Sequence, residues 1–545
     1  MTLKSRAPIS VKKLLKEKAD GKSKKSIIKT QEEQMQDNES QQPKSIYSDL
    51  KLNLEHIKKT TGNSTDIIIR EVQVGKNGEV QLAVIYTDGL TSSAELEQFV
   101  LETLMVKIRN TEMDSTNLHS LDCLEAIKKE SLPVAGVTDI SDFKKLFLNL
   151  LSGDAIILMN SFSKGLAISF RVWADRGVQE PSSQTVVRGP KDGFTETLRK
   201  NTALIRRRIK DPNLWIETKQ IGTKTQTDVA IMFLKNVANE KIVDEVRNRI
   251  NQINIDAILE SGYIEELIQD NQYSPFPTVF NTERPDAVAA AILEGRIAIL
   301  VDGTPFVLIV PALFAHFFQS SEDYYQRTDI SSFIRLLRYF AFFLALLTPS
   351  AYIAVTTFHQ EMLPTQLLVS LASQREGVPF PAVVEAIMME ATFEILREAG
   401  VRMPRAVGSA ISIVGALVIG QAAVEAGVVS ATMVIVVALT AISSFVSPAF
   451  NMAIAARLIR FPLMILAASF GLLGITLGLI VMVLHLNSLR SFGIPYLTPN
   501  APFILQDQKD NFIRLPRWLF YTRPRLVNQK NIDREDTPVP KPPNS

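Results

Sequence analysis

The run FPLMILAASFGLLGITLGLIVMVLHLNSL at residues 461–489 contains no Asp, Glu, Lys or Arg. A helix needs about 20 apolar residues to cross a hydrocarbon core of roughly 30 Å, so this run is long enough to span a bilayer and leave a kinked or interfacial end. The windows 339–358, 406–424 and 426–456 are equally free of charge. A fifth window, 303–321, has a shorter apolar part and carries Pro305, Pro311 and His316. It reads as a re-entrant or interfacial helix, with His316 a hydrogen-bonded packing residue. The chain is therefore expected to be an integral membrane protein, with an all-α polytopic membrane domain at 286–490. Basic residues orient it in two ways. Four spans put Arg514, Arg517, Arg523 and Arg525 on the cytoplasmic side with the N-terminus. Five spans instead put Arg375, Arg397, Arg402, Arg405, Arg457 and Arg460 inside and the polar C-terminal tail, 491–545, outside. Four is preferred, because the tail charges are close-packed and the proline-bearing window is the weakest span.

A chain of 545 residues exceeds one core and suggests three or four structural units. Mean hydropathy of +0.10 is only mildly apolar because a charged first half averages against the apolar one. The net charge of +2 gives no reason to expect nucleic acid. Residues 1–45 form a basic arm with ten Lys or Arg between Lys4 and Lys29 and a polar run after them, expected to be disordered. The arm lacks the central apolar run of a secretory signal, so no cleavage is expected and the N-terminus should stay in the cytoplasm. The single cysteine, Cys123, forms neither an intrachain disulfide nor a cysteine-rich metal site.

Between arm and membrane domain, β-branched runs at 67–69 and 80–85, a helical stretch at 92–108 and a strand pair at 155–159 and 166–173 read as one α/β subdomain, 46–182. A second, 183–285, follows with a helix near 194–209, strands at 214–220 and 228–234 and a helix near 244–253. Nothing here has the spacing of a dinucleotide loop, a Walker A loop or a zinc site, so no catalytic residue, cofactor or metal is expected and the chain does not read as an enzyme. The run Arg206-Arg207-Arg208 reads either as a solvated or intersubunit helix face or as a grip for phosphate or acidic lipid.

In the membrane half, Glu390, Glu394 and Glu398 recur every four residues on a predicted amphipathic helix, 383–400. Like charges at that spacing destabilise an isolated helix by roughly 0.2 to 0.5 kcal/mol per pair, so something compensates or uses them. Arg397 pairing with Glu394 is the structural reading. Stacked acidic rings around an oligomer axis, as in cation pathways, are the functional one. Gln421 and Glu425, one turn apart near a span end, extend the candidate ion path. Gly474 and Gly478 form a GxxxG that permits close helix packing, within one subunit or between subunits; Ala410, Gly415 and Gly420 do the same in an earlier window.

Several stretches read as motifs: Val187-Arg188-Gly189-Pro190-Lys191-Asp192-Gly193-Phe194, Glu294-Gly295-Arg296 with Asp302-Gly303-Thr304-Pro305, and Phe333-Ile334-Arg335-Leu336-Leu337-Arg338-Tyr339. Arg375-Glu376-Gly377-Val378-Pro379-Phe380-Pro381, Ile419-Gly420-Gln421-Ala422-Ala423-Val424 and Ser491-Phe492-Gly493-Ile494-Pro495-Tyr496-Leu497 follow. In this order they resemble the A subunits of bacterial spore germinant receptors of the GerA type. The resemblance implies a protein of the inner spore membrane, its N-terminal half facing the spore core. It implies a transporter-like B subunit and a lipoprotein C subunit as partners, and a homo-oligomer of A subunits forming a nutrient-gated channel for monovalent cations. A secondary transporter, or a scaffold whose soluble half docks other germination proteins, are the competing readings; no repeat between the apolar windows supports the transporter.

Overall fold

The structure, a computed structural model, describes residues 45–74, 80–99, 128, 136–171, 180–181, 184–402, 420–528, 531–534 and 537. The basic arm, Cys123 and most of the window 406–424, with Ala410 and Gly415, lie outside them. The chain divides into two compact units; Ile67–Val172 belongs to the first, and Thr61–Asp66 joins everything from Trp173 onward in the second.

The first unit contains α1 (Leu50–Thr60), β1 (Ile67–Val74), β2 (Val80–Thr87), α2 (Ser93–Phe99), β3 (Val137–Ile140), α3 (Phe143–Leu150), β4 (Asp154–Met159) and β5 (Gly165–Ser169). Its strands form one antiparallel sheet in the order β1-β2-β4-β5-β3. Strand alternation sends Leu82, Val84 and Tyr86 of β2 to one core and Ala83 and Ile85 to the other, so the sheet is covered on both faces. The Asp142 carboxylate accepts from the Lys145 backbone N–H at 2.7 Å and caps α3, which lays Phe143, Leu146, Phe147 and Leu150 on the sheet.

The second unit begins with α4 (Leu198–Arg208), β6 (Leu214–Ile221), β7 (Thr227–Leu234), α5 (Glu240–Gln252), α6 (Ser261–Ile268), β8 (Phe280–Thr282), α7 (Pro285–Leu293), β9 (Ile297–Val301) and β10 (Val307–Val310). Its antiparallel sheet runs β6-β7-β9-β10-β8. Both sheets thus repeat one plan: two strands, a third at the far edge, then two more in the middle, with helices between. This duplication corrects the expected boundary at 285. Strands β9 and β10 complete the second sheet, and the window 303–321 supplies β10 and a short 3-10 helix, Phe314–Phe318, instead of a re-entrant helix. The window is apolar because its strand is covered on both faces, a composition shared by buried strands and membrane segments.

The arginine run is also corrected. Arg206 is 1% exposed and its guanidinium binds both oxygens of Asp66, at 2.9 and 3.0 Å, with the Leu214 carbonyl at 2.7 Å. Arg208 pairs with Asp192. Neither side chain is a bare cationic face.

The second unit continues with the helices α8 (Thr328–Thr357), α9 (Thr365–Arg375), α10 (Ala382–Arg402), α11 (Ala431–Phe445) and α12 (Phe450–Ser488). One face of the second sheet, through Ala230, Met232 and Ile309, shares a core with Tyr339, Phe342 and Leu346 of α8 and with Met452, Leu463 and Leu486 of α12. The residues after α12 return to the sheet. Phe492, Ile494 and Val527 enter its other core, Ser491 donates to the Thr278 carbonyl at 2.7 Å, and the Phe492 N–H donates to Asp270 at 2.7 Å. The expected polar tail is, over its described residues, part of the folded unit.

Helix α12 is not straight. Gly471 has φ 63° and ψ −141°, a conformation open essentially to glycine alone. A Cβ on Gly474 would collide with the Leu466 carbonyl, and one on Gly478 with the Leu463 side chain. In a straight helix residues 463 and 478 stand about 22 Å apart, so the chain must reverse at Gly471 and form a hairpin of arms 450–470 and 472–488. The GxxxG pair therefore packs within one subunit, arm against arm. The window 426–456 is broken as well: Ser430 caps α11, and Ser447-Pro448 separates it from α12. Gly474→Leu is expected to prevent closure of the hairpin and lower the thermal midpoint of the purified chain, at a cost of about 1 to 3 kcal/mol or more for overpacking. An unchanged midpoint would mean that the arms do not meet.

Candidate functional site: a charged track in the helical half

Helix α10 lies against α8, α11 and the first arm of α12, and carries the acidic stripe into the bundle. Glu390 is fully buried; its Oε2 accepts from Arg460 Nη1 at 2.5 Å. Arg460, 1% exposed, also donates from Nε to the Ala345 carbonyl of α8 at 2.7 Å, so one guanidinium ties three helices together. One turn along, Glu394 accepts from Arg457 Nη1 at 3.1 Å and from its own helix neighbour Arg397. At the end of the helix Glu398 pairs with Arg402, both exposed. A further carboxylate, not read from the sequence, stands at the other end: Glu385, fully buried, accepts from the Ser430 N–H at 2.9 Å and faces Arg375 at 3.5 Å. Glu385 precedes Glu390 by five residues on the same helix, which takes it off the face of the stripe and out of its four-residue pattern.

Every glutamate of the stripe thus has an arginine, and Glu390 and Glu394 are brought together. Gln421 and Glu425 bond each other at 2.8 Å on an exposed turn and do not join them among the described residues. The pairing is incomplete at the atomic level. Glu385 Oε1, Glu390 Oε1, Glu394 Oε1, Arg460 Nη2, Arg375 Nε and Ser350 Oγ are buried with no hydrogen-bond partner among the described residues. Each such atom costs about 1 to 3 kcal/mol unless water or an ion meets it. Glu390 and Glu394, one turn apart on α10 and facing Arg460 and Arg457, make a polar track in an otherwise apolar bundle, whereas Glu385, about 140° around the helix from Glu390, faces Ser430 and Arg375 instead.

The sequence matches the family described as Bacillus/Clostridium GerA spore germination protein over residues 55–526. The chain belongs to the GerA family. It is 51% identical over 497 residues to spore germination protein KA of Bacillus subtilis (strain 168), covering 91% of this chain and 90% of that protein. The membrane protein YfkQ of the same strain is 45% identical over 502 residues, 91% of this chain and 96% of the relative. Among solved structures, the N-terminal domain of the A subunit of the Bacillus megaterium spore germinant receptor GerK3 is 39% identical, with a TM-score of 0.41 over 50% of this chain and 99% of that one. The chain's family role is that of a germinant-receptor A subunit in spore germination.

The GerA signature residues fall into two groups. Arg335 and Arg338 start α8 and close a buried node. Arg335, 0% exposed, donates to Asp510 Oδ1 at 2.8 Å, the Asp510 carbonyl at 2.9 Å and Asp323 Oδ2 at 3.2 Å. Arg338 donates to Asp323 Oδ2 at 2.7 Å, and Tyr324 and Gln319 both donate to Asp510. The node joins helical half, 3-10 segment and C-terminal region. Nearby, Gly189 takes φ 143° against the Tyr325 ring, where a Cβ would lie 2.7 Å from ring carbon, and the Arg188 N–H donates to Glu322 at 3.3 Å. The Pro190 carbonyl accepts from Arg284 at 3.1 Å, and Gly193 is buried. Glu376, Pro379 and Pro381, by contrast, are exposed in the α9–α10 connection, where the Pro381 carbonyl accepts the first helical N–H groups of α10. His316 accepts at Nδ1 from Arg296 Nη1, 2.7 Å away, and stacks on Phe280. Burial, and then the Arg296 charge, hold its pKa well below the ordinary value, so it remains neutral.

Proposed function

We propose that this GerA-family chain is a nutrient-responsive subunit embedded in the inner spore membrane, and that its helical half, as an oligomer of A subunits, passes monovalent cations when the receptor is engaged. A transporter-like B subunit and a lipoprotein C subunit are the expected partners. The observation that carries the channel reading is the track of Glu390 and Glu394 against Arg460 and Arg457, in which Glu390 Oε1, Glu394 Oε1 and Arg460 Nη2 are buried without a hydrogen-bond partner among the described residues. A bundle that only had to hold together would fill that line with apolar side chains, which stabilise as well or better.

Membrane embedding is supported by α8 and α12, which are long and apolar enough to cross a bilayer. The arms of α12 measure about 31 and 26 Å, close to the roughly 30 Å hydrocarbon thickness. Residues on both sides of the helical half pack on the second sheet, which supports an even number of crossings and a C-terminal region on the same side as that sheet. In the closed state the arginines of α12 neutralise the carboxylates of α10. Opening then requires α12 to move against α10, so that cations replace guanidinium groups beside Glu390 and Glu394.

Flux from liposomes containing the purified chain, with and without partner subunits and nutrient, tests this against Glu390→Gln/Glu394→Gln/Glu398→Gln. The triple variant is expected to lose most cation flux or its selectivity over anions. Glu398→Gln alone, in an exposed pair, should change flux and stability little, within about 0.5 kcal/mol. Flux unaltered by the triple change moves the path elsewhere, and no flux under any condition favours the scaffold reading.

A further inference from the structure

Between the second sheet, the C-terminal region and the α11–α12 link lies a cavity of approximately 530 Å³ that the polar track does not use. Two signature stretches converge on it, through Pro190 and Glu294, and Ser447-Pro448 of the link forms part of its wall. Its volume falls in the range of small-molecule sites.

The charges on its wall are unequal. Arg208 is matched by Asp192 and Arg284 by Asp286, the latter at 2.7 Å. Glu294 alone serves both Arg534, at 3.6 Å, and Arg296 behind it, at 3.7 Å, neither within hydrogen-bond reach. Arg517, at the rim, has no ion pair or side-chain hydrogen bond among the described residues; the Phe520 ring lies 5.9 Å away, and Glu294 acts on it only at longer range. Among the described residues two guanidinium charges are therefore without a carboxylate of their own, and Arg296 Nε is buried with no hydrogen-bond partner. Guanidinium forks favour carboxylate and phosphate oxygens.

We propose that this cavity binds a small soluble oxyanion, a carboxylate or phosphate compound, between Arg517 and Arg534, and that its occupation biases the link from which α12 starts. The site is separate from the polar track, so binding is measured without any channel activity.

The test is the thermal midpoint of the purified full chain in detergent micelles, titrated with sodium phosphate and with sodium benzoate, each against sodium chloride of equal ionic strength. A ligand that binds only the folded chain raises the midpoint saturably. The expected result is such a rise with at least one of the two anions. Arg517→Gln, at an exposed position, should keep the ligand-free midpoint and need about tenfold more anion for the same rise, and Arg517→Gln/Arg534→Gln about a hundredfold more. Chloride reproducing the rise, neither anion giving one, or the single and double variants responding like wild type would each overturn the proposal. A rise confined to nanodiscs containing phosphatidylglycerol would overturn it too, in favour of a lipid headgroup.

Discussion

Arg460→Ala is expected to destabilise the chain by about 3 to 5 kcal/mol, because it leaves the fully buried Glu390 carboxylate without its counter-ion. The same change frees the Ala345 carbonyl, which receives the second Arg460 hydrogen bond. The informative companion is Glu390→Leu/Arg460→Met, which removes both charges and refills the volume. Replacing a whole buried pair by apolar side chains is commonly neutral or stabilising by about 1 to 4 kcal/mol. The double variant should therefore fold at least as well as wild type, as read by its thermal midpoint in detergent. If the polar track conducts, that well-folded protein passes no cations in liposomes and fails to support germination. A double variant that folds and retains full flux would show that the pair is only a packing device and sink the ion-path reading. The two measurements separate stability from function, which the single substitution alone does not.

How much of this site was legible in the sequence follows from the range of each interaction. The i, i+4 recurrence of Glu390, Glu394 and Glu398 is a local pattern and reads directly as a helix face, and the Glu394–Arg397 pair lies within one turn. The partners that define the chemistry, Arg460 and Arg457, come from a helix more than sixty residues later. No periodicity links them. Likewise Arg335 stood out as part of a motif, but its acceptor Asp510 is 175 residues away in a region that looked like a polar tail.

The fold was legible where alternation or length carried the signal, and misread where two environments share one composition. Val307–Val310, flanked by more apolar residues, resembles a short membrane segment because a strand buried on both faces is as apolar as a lipid-exposed helix. The repeated strand order stayed hidden because its equivalent edge strands are brief, with Phe280–Thr282 only 3 residues long. Gly471 gave no warning of a chain reversal, since a glycine inside an apolar run is common in membrane helices and its φ is not written in its neighbours.

Arg335→Ala is expected to have a comparable effect by a different route. Arg335 faces Asp323 and Asp510 at once with 0% exposure, and its loss leaves the buried Asp323 and the partly buried Asp510 with one guanidinium, that of Arg338, on the Asp323 side only. Removing one member of such a network costs about 3 to 5 kcal/mol. Arg335→Lys should recover little, because a single ammonium cannot reproduce the fork that reaches both acids. Asp510→Asn is the milder test: the backbone carbonyl of residue 510 still accepts from Arg335 and Gln319, while the charge and one of the two side-chain acceptors that serve Arg335 and Tyr324 are lost. Comparing Arg335→Ala, Asp510→Ala and the double variant by chemical denaturation in detergent should give a coupling of about 1 to 3 kcal/mol, whereas additive effects would mean that the two residues stabilise separately. The node, together with Ser332, which donates to the Arg514 carbonyl at 3.0 Å, ties the start of α8 to the C-terminal region. If receptor engagement moves the second sheet against the helices, Asp510→Asn should therefore slow germination while leaving the chain folded. Germination at the wild-type rate with a measurably weakened node would assign Arg335 to stability alone.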